Sequence, residues 1–104
     1  MNQALFQIFI PLNYNDGTSV EKEKIQKTCT EIGLHFGGYT LHETPVRGGW
    51  YHEGRLYHDQ HLTLMVIADD NAQNRTWLKN YKPILKNRFC QIEIFILVWE
   101  IEIL

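Results

Sequence analysis

The sequence has few cysteines, no excess of positive charge and no long apolar run. Its two cysteines, Cys29 and Cys90, stand far apart among 104 residues, which argues against a disulfide scaffold. Ten Lys and Arg face twelve Asp and Glu, for a formal net charge of −2. Because phosphate backbones attract basic surfaces, we expect no nucleic-acid partner.

The longest apolar run, residues 94–99, is far shorter than the ~20 residues that span a bilayer. The chain start, residues 1–4, lacks the basic region that opens a signal peptide. These absences predict a reduced, cytoplasmic protein without a membrane segment. The composition, 44% hydrophobic and 21% charged, is typical of a globular chain and excludes a disordered tail or a rod. One domain over residues 1–104 is expected.

The first third of the chain predicts a strand followed by a helix. Apolar residues alternate over residues 5–12, and Pro11 should weaken pairing at the end of that strand. A capping-box spacing of Thr18 and Glu21 favours a helix from about Ser19 to Ile32, which would end at a left-handed Gly33.

The middle of the chain predicts one long hairpin over residues 39–68. Its arms begin and end as strands at 39–44 and 62–68, and Glu53-Gly54 has the composition of a tight turn. Pro45 and Gly48-Gly49 predict a kink or bulge.

A second helix should start at residues 69–71 and bend or restart at Pro83. Residues 91–101 predict the last strand, with apolar side chains on both faces, which suggests that both faces are buried. The order β-α-β-β-α-β is that of a ferredoxin-like α+β sandwich. Such a fold has an antiparallel sheet with two helices on one face, here with a long kinked β2-β3 hairpin, and its last strand lies at the sheet edge beside the first.

An edge strand that is apolar on both faces tends to aggregate unless another part of the chain or a second chain packs against it. We expect a homodimer formed through the helix-free face of the sheet or through that edge. The predicted interface residues are Phe95, Leu97, Trp99 and Ile101. The alternative is that the C-terminal residues fold over the core of their own monomer.

The glycines and one tryptophan of the hairpin carry a family resemblance. The segments 36–41, 49–50 and 54–56, with Asp16-Gly17 before the first helix, resemble a small bacterial family of unknown function. In that family Asp-Gly precedes the first helix and Gly-x-Trp marks the hairpin, of which Gly49-Trp50 is a shortened match. The resemblance implies a ferredoxin-like fold over nearly the whole chain and adds no mechanism.

Four of the five histidines lie on the hairpin, and His42 and His61 are the candidate acid or base groups. Their spacing does not match a metal site, and no metal or cofactor is predicted. His58 and His61 should point to opposite faces of a regular strand. Each candidate begins a His-x-Thr triplet, a pattern of two-histidine phosphoesterases, but two triplets on adjacent arms of one hairpin argue against that activity.

Aromatic and basic residues cluster near the hairpin turn. If exposed, they would suit a protein partner or a small planar ligand, although closing the end of the sheet is the simpler role. The residues are Arg47, Trp50, Tyr51, Arg55 and Tyr57.

Two functions therefore compete. The favoured one is a small non-enzymatic binding or assembly module that homodimerises through its sheet. The alternative is a small dimeric α+β-barrel enzyme that uses a hairpin histidine as acid or base.

Overall fold

The computed structural model describes residues 2–104, and it has the element order that the sequence predicts. The elements are β1 (Gln3–Pro11), α1 (Lys22–Phe36), β2 (Thr40–His52), β3 (Arg55–Asp69), α2 (Ala72–Arg88) and β4 (Ile96–Ile101). The four strands form one antiparallel sheet in the order β2-β3-β1-β4. The fold is a ferredoxin-like α+β sandwich, with β4 at the sheet edge beside β1.

The hydrophobic core lies between the two helices and one face of the sheet. Strand alternation produces this arrangement because every second residue of β1 points toward the helices. The register pairs Phe6 with Val66 on β3, and Ile8 with Leu64. The fully buried core side chains include Phe6, Ile8, Ile10, Cys29, Ile32, Leu64, Leu85 and Phe89.

A polar network ties the two helices together beside this core. Arg88 of α2 lies 2.6 Å from the Glu31 carboxylate of α1, and it donates to the Thr28 hydroxyl at 2.9 Å. The Tyr81 hydroxyl donates to Glu31 at 2.9 Å. Burial and this bond to Glu31 raise the pKa of Tyr81 to about 12. Burial opposes ionisation of Glu31, but the bonds from Arg88 and Tyr81 prevail and lower its pKa.

Helix α1 begins and ends later than predicted. Asp16 accepts the Thr18 amide at 2.9 Å and the Thr18 hydroxyl at 2.6 Å, so Thr18 closes a turn instead of capping the helix. Glu21 is the N-cap residue, without a side-chain cap. The left-handed residue at the C-terminus is Gly37, with φ 88°, whereas Gly33 lies inside the helix.

Helix α2 is continuous through Pro83, so the helix does not restart there. Tyr81 and Leu85 are buried on either side of Pro83 and fix both halves of the helix to the core. At the start of the helix, the Asn71 side chain accepts from the Asn74 amide at 2.8 Å.

The long hairpin is confirmed, with its turn at Glu53-Gly54, where φ is 51° and 76°. Both values are positive, as a two-residue hairpin turn of type I′ requires. The bulge lies between His42 and Val46, near Pro45, while Gly48 and Gly49 pair regularly with β3. The predicted bulge is therefore confirmed near Pro45, and there is none at the two glycines.

Strand β4 starts at Ile96 rather than at residue 91. One further bond, from the Phe9 amide to the Phe95 carbonyl at 3.1 Å, extends the pairing with β1. Beyond it β1 reaches Pro11, which has no N–H to donate. Residues 91–94 therefore lie outside the ladder and run past the end of the sheet.

Candidate functional site

The helix-free face of the sheet is apolar and open in the isolated chain. Its central pairs place Leu5 of β1 opposite Ile67 on β3 and Trp99 on β4. Ile67 is 54% exposed, Phe95 55% and Trp99 45%. The inference that both faces of the last strand are buried is thus wrong for the single chain. We call this surface the open face; its large apolar residues are Leu5, Phe9, Met65, Ile67, Phe95, Leu97, Trp99 and Ile101.

The predicted interface residues share that face. Leu97 pairs with Gln7 and Trp99 with Leu5, and Ile101 pairs with Gln3. Phe95 stacks edge-on against Phe9, with ring centroids 6.1 Å apart. The alternation in β4 thus places the four residues as predicted, although the strand itself is shorter.

A cavity of about 430 Å³ opens at one end of the open face, where β1 stops and residues 91–95 pass the hairpin. We call it the inner cleft. Its size falls within the range of small-molecule sites. The lining residues that matter for the argument are Phe9, Trp50, Asp59, His61, Glu93 and Phe95.

His61 forms part of the cleft wall and is the buried histidine of the hairpin, with 8% of its surface exposed. Its ring stacks on Phe9, with centroids 4.3 Å apart and planes 17° apart. His42 is exposed, pairs with Thr63, and does not line the cleft. The structure therefore separates the two candidate histidines and places only His61 at a cavity.

The Asp59 carboxylate lies against Gly48, its neighbour on β2, and both residues line the cleft. A Cβ atom built on Gly48 would overlap the Asp59 carboxylate, whereas one on Gly49 would meet ordinary contacts. Glycine within a strand often marks such a close approach. The sequence contained this signal at Gly48-Gly49, where the prediction was a kink.

Three of the five aromatic and basic residues near the turn, Arg47, Trp50 and Tyr57, line one cavity. Trp50 and Tyr57 pair across the hairpin and stack with centroids 5.2 Å apart, and Arg55 lies over the Tyr57 ring at 5.5 Å. Tyr51 pairs with Leu56 and alternates to the other face. The cavity that Arg47 shares with Trp50 and Tyr57 has a volume of about 390 Å³ and is also lined by His58.

His58 and His61 lie on different sides of β3, as strand alternation predicts. Among residues 2–104, no three His, Cys, Asp or Glu side chains are grouped so that they could hold a metal ion. Within the same range, neither helix has the length and hydropathy needed to cross a membrane. Cys29 is buried and Cys90 is exposed, and the two are unbridged.

No protein-family model and no curated protein matches the chain. Among solved structures, a phage SAM lyase in complex with S-methyl-5'-thioadenosine is similar, with a TM-score of 0.71 and 17% identity over 94% of this chain and 81% of that chain. The divalent cation tolerance protein Cut A1 from Thermus thermophilus has a TM-score of 0.67 and 14% identity, over 95% of this chain and 84% of its own. These likenesses show the fold alone. Membership of the bacterial family indicated by the hairpin glycines stays a prediction.

Proposed function

We propose that this protein is a small binding and assembly module that forms a homodimer through the open face of its sheet. The observation that carries the proposal is the row of large apolar side chains across that face, with Ile67, Phe95 and Trp99 about half exposed. Monomeric proteins rarely expose large apolar patches.

The energetics favour a second copy of the same sheet. Removing the exposed half of each large apolar side chain from water contributes roughly 1 kcal/mol. Two-fold symmetry doubles that gain because both copies of each residue are buried in the interface. The inner cleft opens at the end of the same face, so a sheet-to-sheet dimer would place the cleft beside the partner.

The unbridged cysteines fit the compartment that we propose for this module. A buried thiol at Cys29 and an exposed thiol at Cys90 suit the reducing cytoplasm.

The test is the solution mass by light scattering after size exclusion, at two protein concentrations. A dimer of twice the 12.3 kDa chain mass is expected at both. A monomer at both concentrations would overturn the proposal, and a trimer or larger ring would replace the two-fold arrangement.

A second candidate function is favoured by His61. Imidazole transfers protons near neutral pH, and this ring lines a cavity large enough for a small substrate. The similar phage SAM lyase was solved with S-methyl-5'-thioadenosine, which makes SAM the first substrate to try. The chain would be incubated with SAM, and loss of SAM would be compared for the native chain and His61→Gln. Equal rates of SAM loss for the two proteins, or no loss above that of the buffer alone, would rule out this enzymatic function.

A further inference from the structure

We propose that the inner cleft binds a small organic cation that carries a flat aromatic ring. This inference goes beyond self-association. It shares its cavity with the second candidate function but requires no reaction.

The charges that line the cleft are negative. Asp59 and Glu93 line it, and no Lys or Arg does. Glu93 is already neutralised by Lys82, whose ammonium lies 2.8 Å from its carboxylate. Asp59 has no hydrogen-bond or ion-pair partner within the described part of the chain, residues 2–104. Its carboxylate therefore leaves one uncompensated negative charge at the cavity, which favours a positively charged ligand.

His61 provides an independent indication of a ligand. More than nine-tenths of the residue is buried, and its ring nitrogens have no hydrogen-bond partner in residues 2–104. Over the same residues, no side-chain nitrogen or oxygen is both fully buried and unpartnered. The His61 nitrogens must therefore keep access to open space, and the cleft is the cavity that this ring lines. An imidazole there can donate one hydrogen bond and accept another.

Aromatic side chains form the walls around these polar groups. Phe9 supports His61 from one side and meets Phe95 edge-on, while Trp50 projects from the hairpin. Aromatic faces attract cations within about 6 Å of the ring centroid and stack on flat rings. Such walls beside an unpaired carboxylate favour a ligand that is both planar and cationic.

The cleft itself is prearranged in the folded chain. Gly48 leaves room for the Asp59 carboxylate against β2, and the stack on Phe9 orients His61. Groups held in position before binding lose little freedom when the ligand arrives.

The experiment uses two probes that share a ring and an amide but differ in charge. 1-Methylnicotinamide is a cation, and nicotinamide is neutral. Each would be titrated into the full chain while backbone amide shifts are followed by NMR. We expect the cation to bind roughly tenfold more tightly, with the largest shifts at Phe9, His61 and Phe95.

Asp59→Asn is the test variant. This variant should weaken the binding of 1-methylnicotinamide and leave that of nicotinamide unchanged. The dissociation constants of the two probes should then differ by no more than about twofold. Glu23→Gln, which removes one negative charge from α1, is the matched control and should keep the native preference. If Asp59→Asn fails to fold, the affinities of the native chain for the two probes still test the proposal.

Three outcomes would overturn the inference. They are equal affinities of the native chain for the two probes, shifts confined to residues outside the cleft, and no binding of the cation at about 10 mM. Turnover of SAM and the solution mass are measured separately. A monomer that still prefers the cation would therefore end the dimer proposal and leave this one standing.

Discussion

The rings of Phe9 and His61 stack across two strands although these residues are not register partners. Phe9 pairs with Thr63, and His61 pairs with Pro11. Their contact is thus a diagonal one, which long and aromatic side chains can make across neighbouring strands. The stack covers one face of the imidazole, and His61 also lines the cleft.

Trp99→Glu should convert the proposed dimer to a monomer. A carboxylate placed in the middle of an apolar interface loses its water without gaining a partner, so the dimer dissociation constant should rise by roughly 100-fold. Light scattering over a dilution series measures that constant. Ile84→Glu is the matched control because Ile84 is exposed on α2, in the helix layer. An equal change in both variants would contradict an interface on the open face.

Arg88→Ala should lower the free energy of unfolding by about 2–3 kcal/mol, because it leaves the Glu31 carboxylate and the Thr28 hydroxyl without their shared donor. Urea unfolding measures the change. Lys82→Ala is the control: Lys82 pairs with Glu93 at 2.8 Å, and both side chains are substantially exposed, 35% and 48%. Its loss should cost less than about 1 kcal/mol. Similar losses in the two variants would show that the helix-to-helix network adds nothing beyond a surface pair.

The stability should fall in acid partly through Glu31. Its pKa is lower in the folded chain than its ordinary value of 4.5, so the unfolded chain binds more protons as the pH drops. The stabilising contribution is complete above pH 4.5 and is lost as the pH falls through the folded-state pKa.

Urea unfolding between about pH 3 and pH 7 tests this dependence. Glu31→Gln should be less stable at neutral pH and should show a shallower acid slope than the native chain. Part of the slope should persist, because the pKa values of Asp16, Asp70 and Glu93 are also lowered by their partners. An unchanged slope in Glu31→Gln would refute the assignment.

Gly48→Ala should change the cleft more than the fold. The new methyl group would push the Asp59 carboxylate aside, but that group is the end of a side chain and can move, so the stability loss should stay below about 1 kcal/mol. The affinity for 1-methylnicotinamide should fall roughly tenfold. Gly49→Ala, where a Cβ meets only ordinary contacts 3.7 Å or more away, should bind like the native chain. Titration of both variants by NMR provides the comparison.

The sheet and its core followed from local patterns. Apolar residues alternate over residues 5–12, and Phe6, Ile8 and Ile10, which share one face of that strand, are all buried. Glu53-Gly54 located the turn because its dihedral angles are a local property. The start of α1 was misplaced because Asp16 competes with the helix for the Thr18 amide, and that competition depends on the turn that precedes the helix.

The inner cleft could be predicted only in part. The hairpin residues Trp50 and His61 were candidates, but Phe9 was assigned to a strand and Glu93 was not singled out. Their meeting depends on where residues 91–94 run outside the ladder, past Pro11. Such a path is set by tertiary packing, which no periodicity along the chain encodes.

The bulge in β2 has a consequence for how this hairpin tolerates changes of length. From His42 to Val46 the chain advances four residues on β2 against two on β3, from Thr63 to His61. These two extra residues of β2 set the register of the pairs near the core apart from the register of the pairs near the turn. Residues can therefore be added or removed in matched pairs near Glu53-Gly54 without moving His61 or the core. The hairpin is the natural site for grafting a foreign loop or an affinity tag.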